Sequence, residues 1–138
     1  MAGHDEYGKR VLLEATGGTA VQYGPSVEID YGAGQPARID GTVGDMVAVE
    51  VESRVSKQVR GAVLDLICHS YPKKLLVLLP VHMGNPAVTA AQCRNILGRF
   101  CPEDCFRVAV LNGSGENPRL DDDAAIVAAA LKDLGAAV

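Results

Sequence analysis

The stretch ARIDGTVGDMVAVEVE, residues 37–52, alternates between apolar and polar side chains on both sides of a Gly-Asp pair. Alternation with a period of two is typical of a β-strand that buries one face. Glycine and aspartate are residues that favour turns. The stretch therefore predicts a β-hairpin, with strands over residues 37–43 and 46–52.

The register of this hairpin follows from its apolar face. The three valines of the second strand share one face, and Glu50 and Glu52 share the other. For the apolar residues of the first strand, which begin with Ile39, to lie on the valine face, the loop must contain three residues, 44–46. This register places Asp40 opposite Glu50, with side-chain bases about 5 Å apart. Carboxylates this close repel each other unless a cation lies between them, so the hairpin predicts a divalent-cation site.

Outward from the hairpin, periodicity and turn residues predict the remaining elements. We expect helices over residues 6–15, from a cap at Ser56 to before Pro72, from Thr89 to Phe100 and over residues 121–134, with strands over residues 27–31, 75–79 and 106–111. Residues 75–79 are apolar without alternation, which is typical of a central strand covered on both faces. The order predicts an α/β fold whose mixed sheet has an antiparallel meander, then parallel crossover strands, with helices on both faces.

Length and composition are those of one domain, residues 1–138. The chain has 48% hydrophobic and 22% charged residues, which excludes a disordered or collagen-like protein. The longest apolar run, residues 75–81, is interrupted by Pro80 and is far shorter than the roughly 20 residues that cross a bilayer. The amino-terminal residues lack the pattern of a secretory signal, so we expect a cytoplasmic protein with no membrane partner and with four reduced cysteines.

Charge is distributed unevenly along the chain. The 13 Lys and Arg residues against 17 Asp and Glu give a net charge of −4, which argues against a general nucleic-acid coat protein. Residues 53–74 instead carry five basic side chains against Asp65 alone, a local charge of +4. These basic residues are Arg54, Lys57, Arg60, Lys73 and Lys74.

Asp40 follows Ile39, and nine residues separate it from the segment Glu50-Val51-Glu52. This order of acidic residues resembles the motif of the PD-(D/E)xK nuclease superfamily, in the variant that has Glu in the lysine position. The resemblance covers the first helix through about residue 79 and implies a restriction endonuclease-like fold. The chain departs from the common pattern at two positions: Ile39 stands where Pro is usual, and Glu52 stands where Lys is usual.

The resemblance implies a metal-dependent nuclease that hydrolyses phosphodiester bonds in DNA. Asp40 and Glu50 would bind Mg²⁺ or Mn²⁺, aided by the backbone carbonyl of Val51. Glu52 would position or deprotonate the attacking water, and Glu14 on the first helix would be an accessory acid. A chain of 138 residues that cuts both strands of DNA would need a homodimer or a partner chain.

Basic residues after the hairpin complete this hypothesis, and three alternatives stay open. Arg54, Lys57 and Arg60 would contact the nucleic-acid backbone. One alternative is a catalytically silent nucleic-acid or protein interaction module of the same fold. Another is a nucleotide-binding α/β domain that uses the glycine loop at residues 113–115. In the third, the acids and the basic run are only solvated faces of the hairpin and helix.

Overall fold

The computed structural model of the chain describes residues 3–32, 34–55 and 57–137. The helices in these residues are α1 (His4–Ala15), α2 (Lys57–Cys68), α3 (Pro86–Leu97) and α4 (Leu120–Asp133). The strands are β1 (Glu28–Ile29), β2 (Ala37–Arg38), β3 (Gly41–Val43), β4 (Val47–Glu52), β5 (Lys73–Leu78) and β6 (Phe106–Val110). Short 3-10 turns lie at Pro25–Val27, Pro80–His82 and Glu103–Cys105.

The main sheet has the strand order β3-β4-β5-β6. β3 and β4 form an antiparallel hairpin, whereas β4 and β5, and β5 and β6, are parallel. Parallel neighbours need crossover connections, which α2 and α3 supply. The predicted α/β class, with a mixed sheet of antiparallel strands followed by parallel crossover strands, is confirmed.

Helices cover both faces of this sheet, as the sequence predicted. α1 and α4 pack on the face that carries Val47, Val49 and Val51. α2 and α3 pack on the opposite face, which carries Ala48 and Leu76. β5 lies between two neighbouring strands and two helical layers, so its apolar residues are fully buried, as expected for the central strand.

The predicted three-stranded meander is wrong in its first part. β1 and β2 form a separate two-stranded antiparallel sheet, and the predicted strand over residues 37–43 is interrupted at Ile39 and Asp40. The N–H of Ile39 donates to the carbonyl of Val27, and the N–H of Asp40 donates to the side chain of Glu50 instead of to a neighbouring strand. The interruption places Ile39 in the core between the sheet and α2 and α3, away from the valine face of β4.

The third helix begins three residues earlier than predicted. Pro86 occupies its first position, where the fixed φ of proline suits a helix, and Asn85 caps it by accepting a hydrogen bond from the N–H of Val88 (3.2 Å). The predicted start at Thr89 is therefore one turn inside the helix. Phe100, predicted on its apolar side, lies beyond its end and is 64% exposed.

The other helices follow the predicted pattern closely. α2 buries Val59, Ala62, Val63 and Leu66 and ends at Cys68, earlier than the predicted end before Pro72. α4 begins and ends within one residue of prediction. The predicted cap of α2, Ser56, lies outside the described residues. Among the described residues, no helix combines the length and apolar character needed to cross a membrane. The four cysteines are free thiols.

A buried hydrogen bond joins α1 to α4. The hydroxyl of Tyr7 donates to Asp123 Oδ2 (2.5 Å), and the same hydroxyl accepts a hydrogen bond from the N–H of Arg119 (2.9 Å). Burial, together with the bond to Asp123, raises the pKa of Tyr7 to about 12. Asp123 is fully buried in α4, and its bond to Tyr7 links the two helices.

Candidate active site

Asp40 and Glu50 lie side by side at the end of the β3-β4 hairpin. The register pairs Gly41 with Val49, so the next pair outward is Asp40 with Glu50, as the sequence predicted. The N–H of Asp40 donates to Glu50 Oε1 (2.9 Å), and the N–H of Val51 donates to Asp40 Oδ2 (2.7 Å). The backbone of the opposite strand therefore holds each carboxylate in place.

Glu50 lies in an environment that disfavours its charge. Its side chain is buried, with 7% of the residue surface exposed. Burial raises the pKa of Glu50 well above its usual value, and the negative charges of Asp40 and Asp65 raise it further. A bound proton and a bound metal cation both relieve this repulsion, so the two compete for the same pair of carboxylates.

Glu52 lies two residues further along the same face of β4 and is also buried, at 5% exposure. Its Oε2 accepts hydrogen bonds from the N–H groups of Ser53 (3.0 Å) and Arg54 (2.8 Å) and from Arg54 Nε (3.1 Å). These bonds hold the carboxylate against the end of its own strand. Because Glu50 and Glu52 are both buried, the alternative of a solvated hairpin face is wrong for these two residues.

The helix α1 contributes two charged residues that sequence reasoning missed. Asp5 Oδ1 accepts a hydrogen bond from Ser53 Oγ (3.4 Å), and Lys9 Nζ lies 3.7 Å from Asp40 Oδ1. Burial raises the pKa of Asp5, and the nearby charges of Glu52 and Asp40 raise it further. α1 begins at His4, two residues before the predicted start, and a helix that includes Asp5 places it on the same face as Lys9.

The close approach of α1 to β4 depends on Gly8. A Cβ atom at this position would lie 2.3 Å from Val51 Cγ1 and 3.1 Å from Leu79 Cδ1. A larger side chain would push the helix away from the sheet. Asp5 and Lys9 lie within one turn of Gly8, so this contact sets how near they come to the hairpin.

Glu14 does not join the candidate site. It lies nine residues beyond Asp5 on α1, which at 3.6 residues per turn is roughly half a turn around the helix. Its side chain is exposed, whereas the face of α1 that carries Asp5 and Lys9 lies toward the carboxylates. The accessory acid that the resemblance implied at Glu14 is therefore corrected: the acid that α1 brings to the site is Asp5.

The carbonyl of Val51 lies on the Asp40 side of β4. N–H groups of β5 and of the residue after it donate to the carbonyls of Met46 and Glu52. Successive carbonyls along a strand point in opposite directions, so the Val51 carbonyl points away from β5. It therefore lies at the edge where Asp40 and Glu50 meet, as a metal ligand there requires.

The predicted basic run is divided between two ends of the sheet. Arg54 follows the carboxyl end of β4 and pairs with Glu52, and Lys57 and Arg60 are exposed on α2. Lys73 and Lys74 lie at the opposite, amino end of β5, and Lys74 is buried with its Nζ bonded to the carbonyl of His69 (2.5 Å). The local charge of +4 therefore does not form one surface.

The donor set suits a hard cation that keeps part of its hydration. In the part of the chain that the structure describes, no three His, Cys, Asp or Glu side chains form a metal-holding group. Mg²⁺ is usually bound by one or two carboxylates, with water and phosphate oxygens completing its shell. The pair Asp40 and Glu50, with the carbonyl of Val51 beside it, fits Mg²⁺ or Mn²⁺ in this respect.

The glycine loop does not offer a phosphate site. The carboxylate of Asp123 accepts hydrogen bonds from the N–H groups of residues 112 and 113 (2.6 and 2.9 Å). The next two N–H groups donate to the carbonyl of Asn117 (3.1 Å) and to His4 Nδ1 (3.0 Å). A phosphate cradle needs backbone amides that point at the ligand, and these four are occupied inside the protein.

The site thus consists of Asp40, Glu50 and Glu52 from the hairpin, with Asp5 and Lys9 from α1. The carboxylates lie at the carboxyl end of β4, partly buried, with cationic side chains on two sides. No family model matches the chain, and no curated protein or solved structure matches it significantly.

Proposed function

We propose that this chain is a metal-dependent nuclease that hydrolyses phosphodiester bonds in DNA, with the restriction endonuclease-like fold of the PD-(D/E)xK superfamily. The observation that carries the proposal is the pair Asp40 and Glu50, fixed side by side with Glu50 buried and Glu52 on the same strand face. The order of α1, the hairpin, α2 and β5 supports it, because the superfamily core also has a helix, antiparallel strands, a crossover helix and a further strand, although its meander has three strands in one sheet.

Asp40, Glu50 and the carbonyl of Val51 would hold Mg²⁺ or Mn²⁺. Asp40 Oδ1 and Glu50 Oε2 would face the cation, because a backbone N–H group bonds to the other oxygen of each carboxylate; Lys9 Nζ lies 3.7 Å from the same Asp40 Oδ1. A cation bound there polarises a phosphoryl oxygen and lowers the pKa of water.

The remaining side chains act on the attacking water and the phosphate. Glu52 accepts the proton of the water through Oε1, because its Oε2 already accepts three hydrogen bonds. Lys9 and Arg54 stabilise the negative charge that develops on the phosphate. Lys9 thereby supplies an amine near Asp40 in a chain that has Glu instead of Lys at position 52.

Cleavage of a mixed DNA pool tests the proposal. We expect cleavage by the wild type with Mg²⁺ or Mn²⁺ and none with EDTA, loss of cleavage in Asp40→Ala and Glu50→Ala, and strong loss in Glu52→Gln. Glu14→Gln is the matched control, because it removes an acid from the exposed side of α1 and should cleave as the wild type does. Equal cleavage by all variants at matched circular dichroism would place the activity outside this site.

A catalytically silent interaction module of the same fold is the second candidate. The three hydrogen bonds to Glu52 Oε2 favour it, since they restrict this carboxylate. Metal-independent, salt-sensitive DNA binding by a wild type that cleaves no DNA with either metal would support the module against the nuclease.

A further inference from the structure

Four arginines line two adjoining cavities that contain none of the residues of the candidate active site. One cavity, of about 520 Å³, lies between α2 and α3 and is lined by Arg60 and Arg99. The other, of about 630 Å³, lies beside β6 and is lined by Arg94, Arg99 and Arg107. Asn95 and Arg99 line both cavities, so they form one continuous surface, which we call the arginine groove.

The charge of the arginine groove is opposite to that of the chain. Glu103 is the one acidic residue among those that line it, which gives the groove a charge of +3 in a chain of net charge −4. Asp133 Oδ2 lies 3.8 Å from Arg107 Nε and compensates part of this charge. A concentration of positive charge on an acidic protein is typical of a surface that binds a polyanion.

Two of these arginines are positioned by the exposed edge of β6. Arg94 Nη2 donates to the carbonyl of Val108 (3.3 Å), and Arg107 Nη1 donates to the carbonyl of Phe106 (2.7 Å). A guanidinium has five N–H donors, so each side chain keeps donors for a ligand after these bonds. Such a planar fork matches the oxygens of a phosphate group.

The arginine groove begins close to the candidate active site. Val55 lines its first cavity and directly follows Arg54, whose Nε bonds to Glu52. From there the groove crosses α2 and α3 to the open edge of the sheet. A chain of phosphates that occupied the groove would therefore lead to the carboxylates of β4.

We propose that the arginine groove binds the sugar-phosphate backbone of a nucleic-acid strand. The inference deepens the proposed nuclease function and rests on it, because it names the surface that holds the substrate beside the cleavage site. Phe100 directly follows Arg99 and is 64% exposed. An exposed ring one residue beyond an arginine of the groove can stack on an unpaired base, which favours a nucleic acid over an acidic protein.

Fluorescence anisotropy with a labelled 20-nucleotide DNA strand, and with the same sequence as duplex, tests this inference in EDTA. The double variant Arg60→Ala and Arg99→Ala should bind at least about tenfold more weakly, and its salt slope should be shallower by about two. Phe100→Ala should weaken single-strand binding by about fivefold or more without affecting the duplex. Arg10→Ala, which removes an exposed arginine from α1, is the matched control and should bind as the wild type does.

Three outcomes would overturn the arginine groove as a nucleic-acid site. They are an unchanged salt slope in the double variant, no wild-type binding to either DNA, and preferential binding of a labelled polyglutamate, which would indicate an acidic protein partner. Failure of the nuclease proposal is measured separately, by wild-type cleavage and metal-dependent melting, which depend on Asp40 and Glu50. If the protein binds DNA through the arginine groove but does not cleave it, the groove proposal is supported and the nuclease proposal is not.

Discussion

At the scale of single residues, the ionisation of Glu50 connects stability to metal binding. Its pKa is raised by burial and by Asp40, so the folded chain holds a proton that the unfolded chain releases near pH 4.5. The free energy of unfolding therefore falls as the pH rises above this value. A proton or a cation bound at this pair relieves the repulsion between Glu50 and Asp40.

The first prediction follows from the direction in which stability changes with pH. In EDTA, the wild-type free energy of unfolding should fall between pH 5 and pH 8, by at most about 1.4 kcal/mol per pH unit. Glu50→Gln should flatten this dependence, because the amide has no proton to lose and its oxygen still accepts the Asp40 N–H. Urea unfolding at pH 5, 6.5 and 8 measures the difference. Parallel profiles of the two proteins would contradict the prediction, and Glu14→Gln should behave as the wild type.

The second prediction concerns the competition between proton and metal at the same pair. Millimolar Mn²⁺ should raise the melting temperature of the wild type more at pH 8 than at pH 5, because the metal needs ionised carboxylates. Asp40→Asn should lose most of this increase. Thermal melts with Mn²⁺ and with EDTA provide the measurement. An equal increase in the wild type and Asp40→Asn would show that Mn²⁺ binds elsewhere.

The third prediction distinguishes two substitutions of Glu52. Glu52→Gln keeps an acceptor for Ser53 and Arg54 and should cost about 1–2 kcal/mol, whereas Glu52→Lys leaves these buried donors unpaired and should cost more. Because of these hydrogen bonds, we do not expect Glu52→Lys, which would restore the common lysine of the superfamily pattern, to be tolerated without a loss of stability. Urea unfolding ranks the variants, and a Glu52→Lys protein as stable as the wild type would contradict the expected order.

At the scale of elements, the packing of α1 on β4 determines whether the site is complete. Gly8 allows this packing, because a Cβ there would overlap Val51. This packing brings Asp5 and Lys9 close to the hairpin. The position of one helix thus controls two of the charges that surround Asp40.

The fourth prediction compares two helical glycines. Gly8→Ala should destabilise the chain by about 1–3 kcal/mol through overpacking against Val51 and Leu79. Gly61→Ala, in α2, has no atom within 4 Å of its added Cβ and should stabilise by up to about 1 kcal/mol through helix propensity. Urea unfolding of both variants tests the contrast. Destabilisation of similar size in both would mean that the contact with β4 is not responsible.

The sequence predicted those features that depend on neighbouring residues. The hairpin register and the opposition of Asp40 to Glu50 follow from alternation and loop length over sixteen residues. The break at Ile39 depends on a tertiary hydrogen bond to Val27, and the role of Asp5 depends on how α1 docks. Neither of these contacts can be inferred from the periodicity of neighbouring residues. The arginine groove was missed for the same reason, because its side chains come from α2, α3 and β6.

At the scale of the whole molecule, the described residues of one chain provide one pair of carboxylates proposed to bind metal, and so one proposed cleavage site. The fifth prediction is that the chain nicks supercoiled plasmid, with open circles accumulating before linear DNA. Gel electrophoresis of a time course with Mg²⁺, with EDTA as control, measures the order of products. Linear DNA that appears without an open-circle intermediate would indicate a dimer that cuts both strands together.

The hydrogen bond between Tyr7 and Asp123 spans 116 positions of sequence. During synthesis, Asp123 is added to the growing chain roughly ten seconds after Tyr7 at usual translation rates. The hairpin is synthesised in between, before the chain contains the helix α4 that anchors α1. Contacts this distant in sequence form late and slowly. A nascent chain therefore lacks the bond that fixes α1, and with it the final placement of Asp5 and Lys9, until α4 has been made.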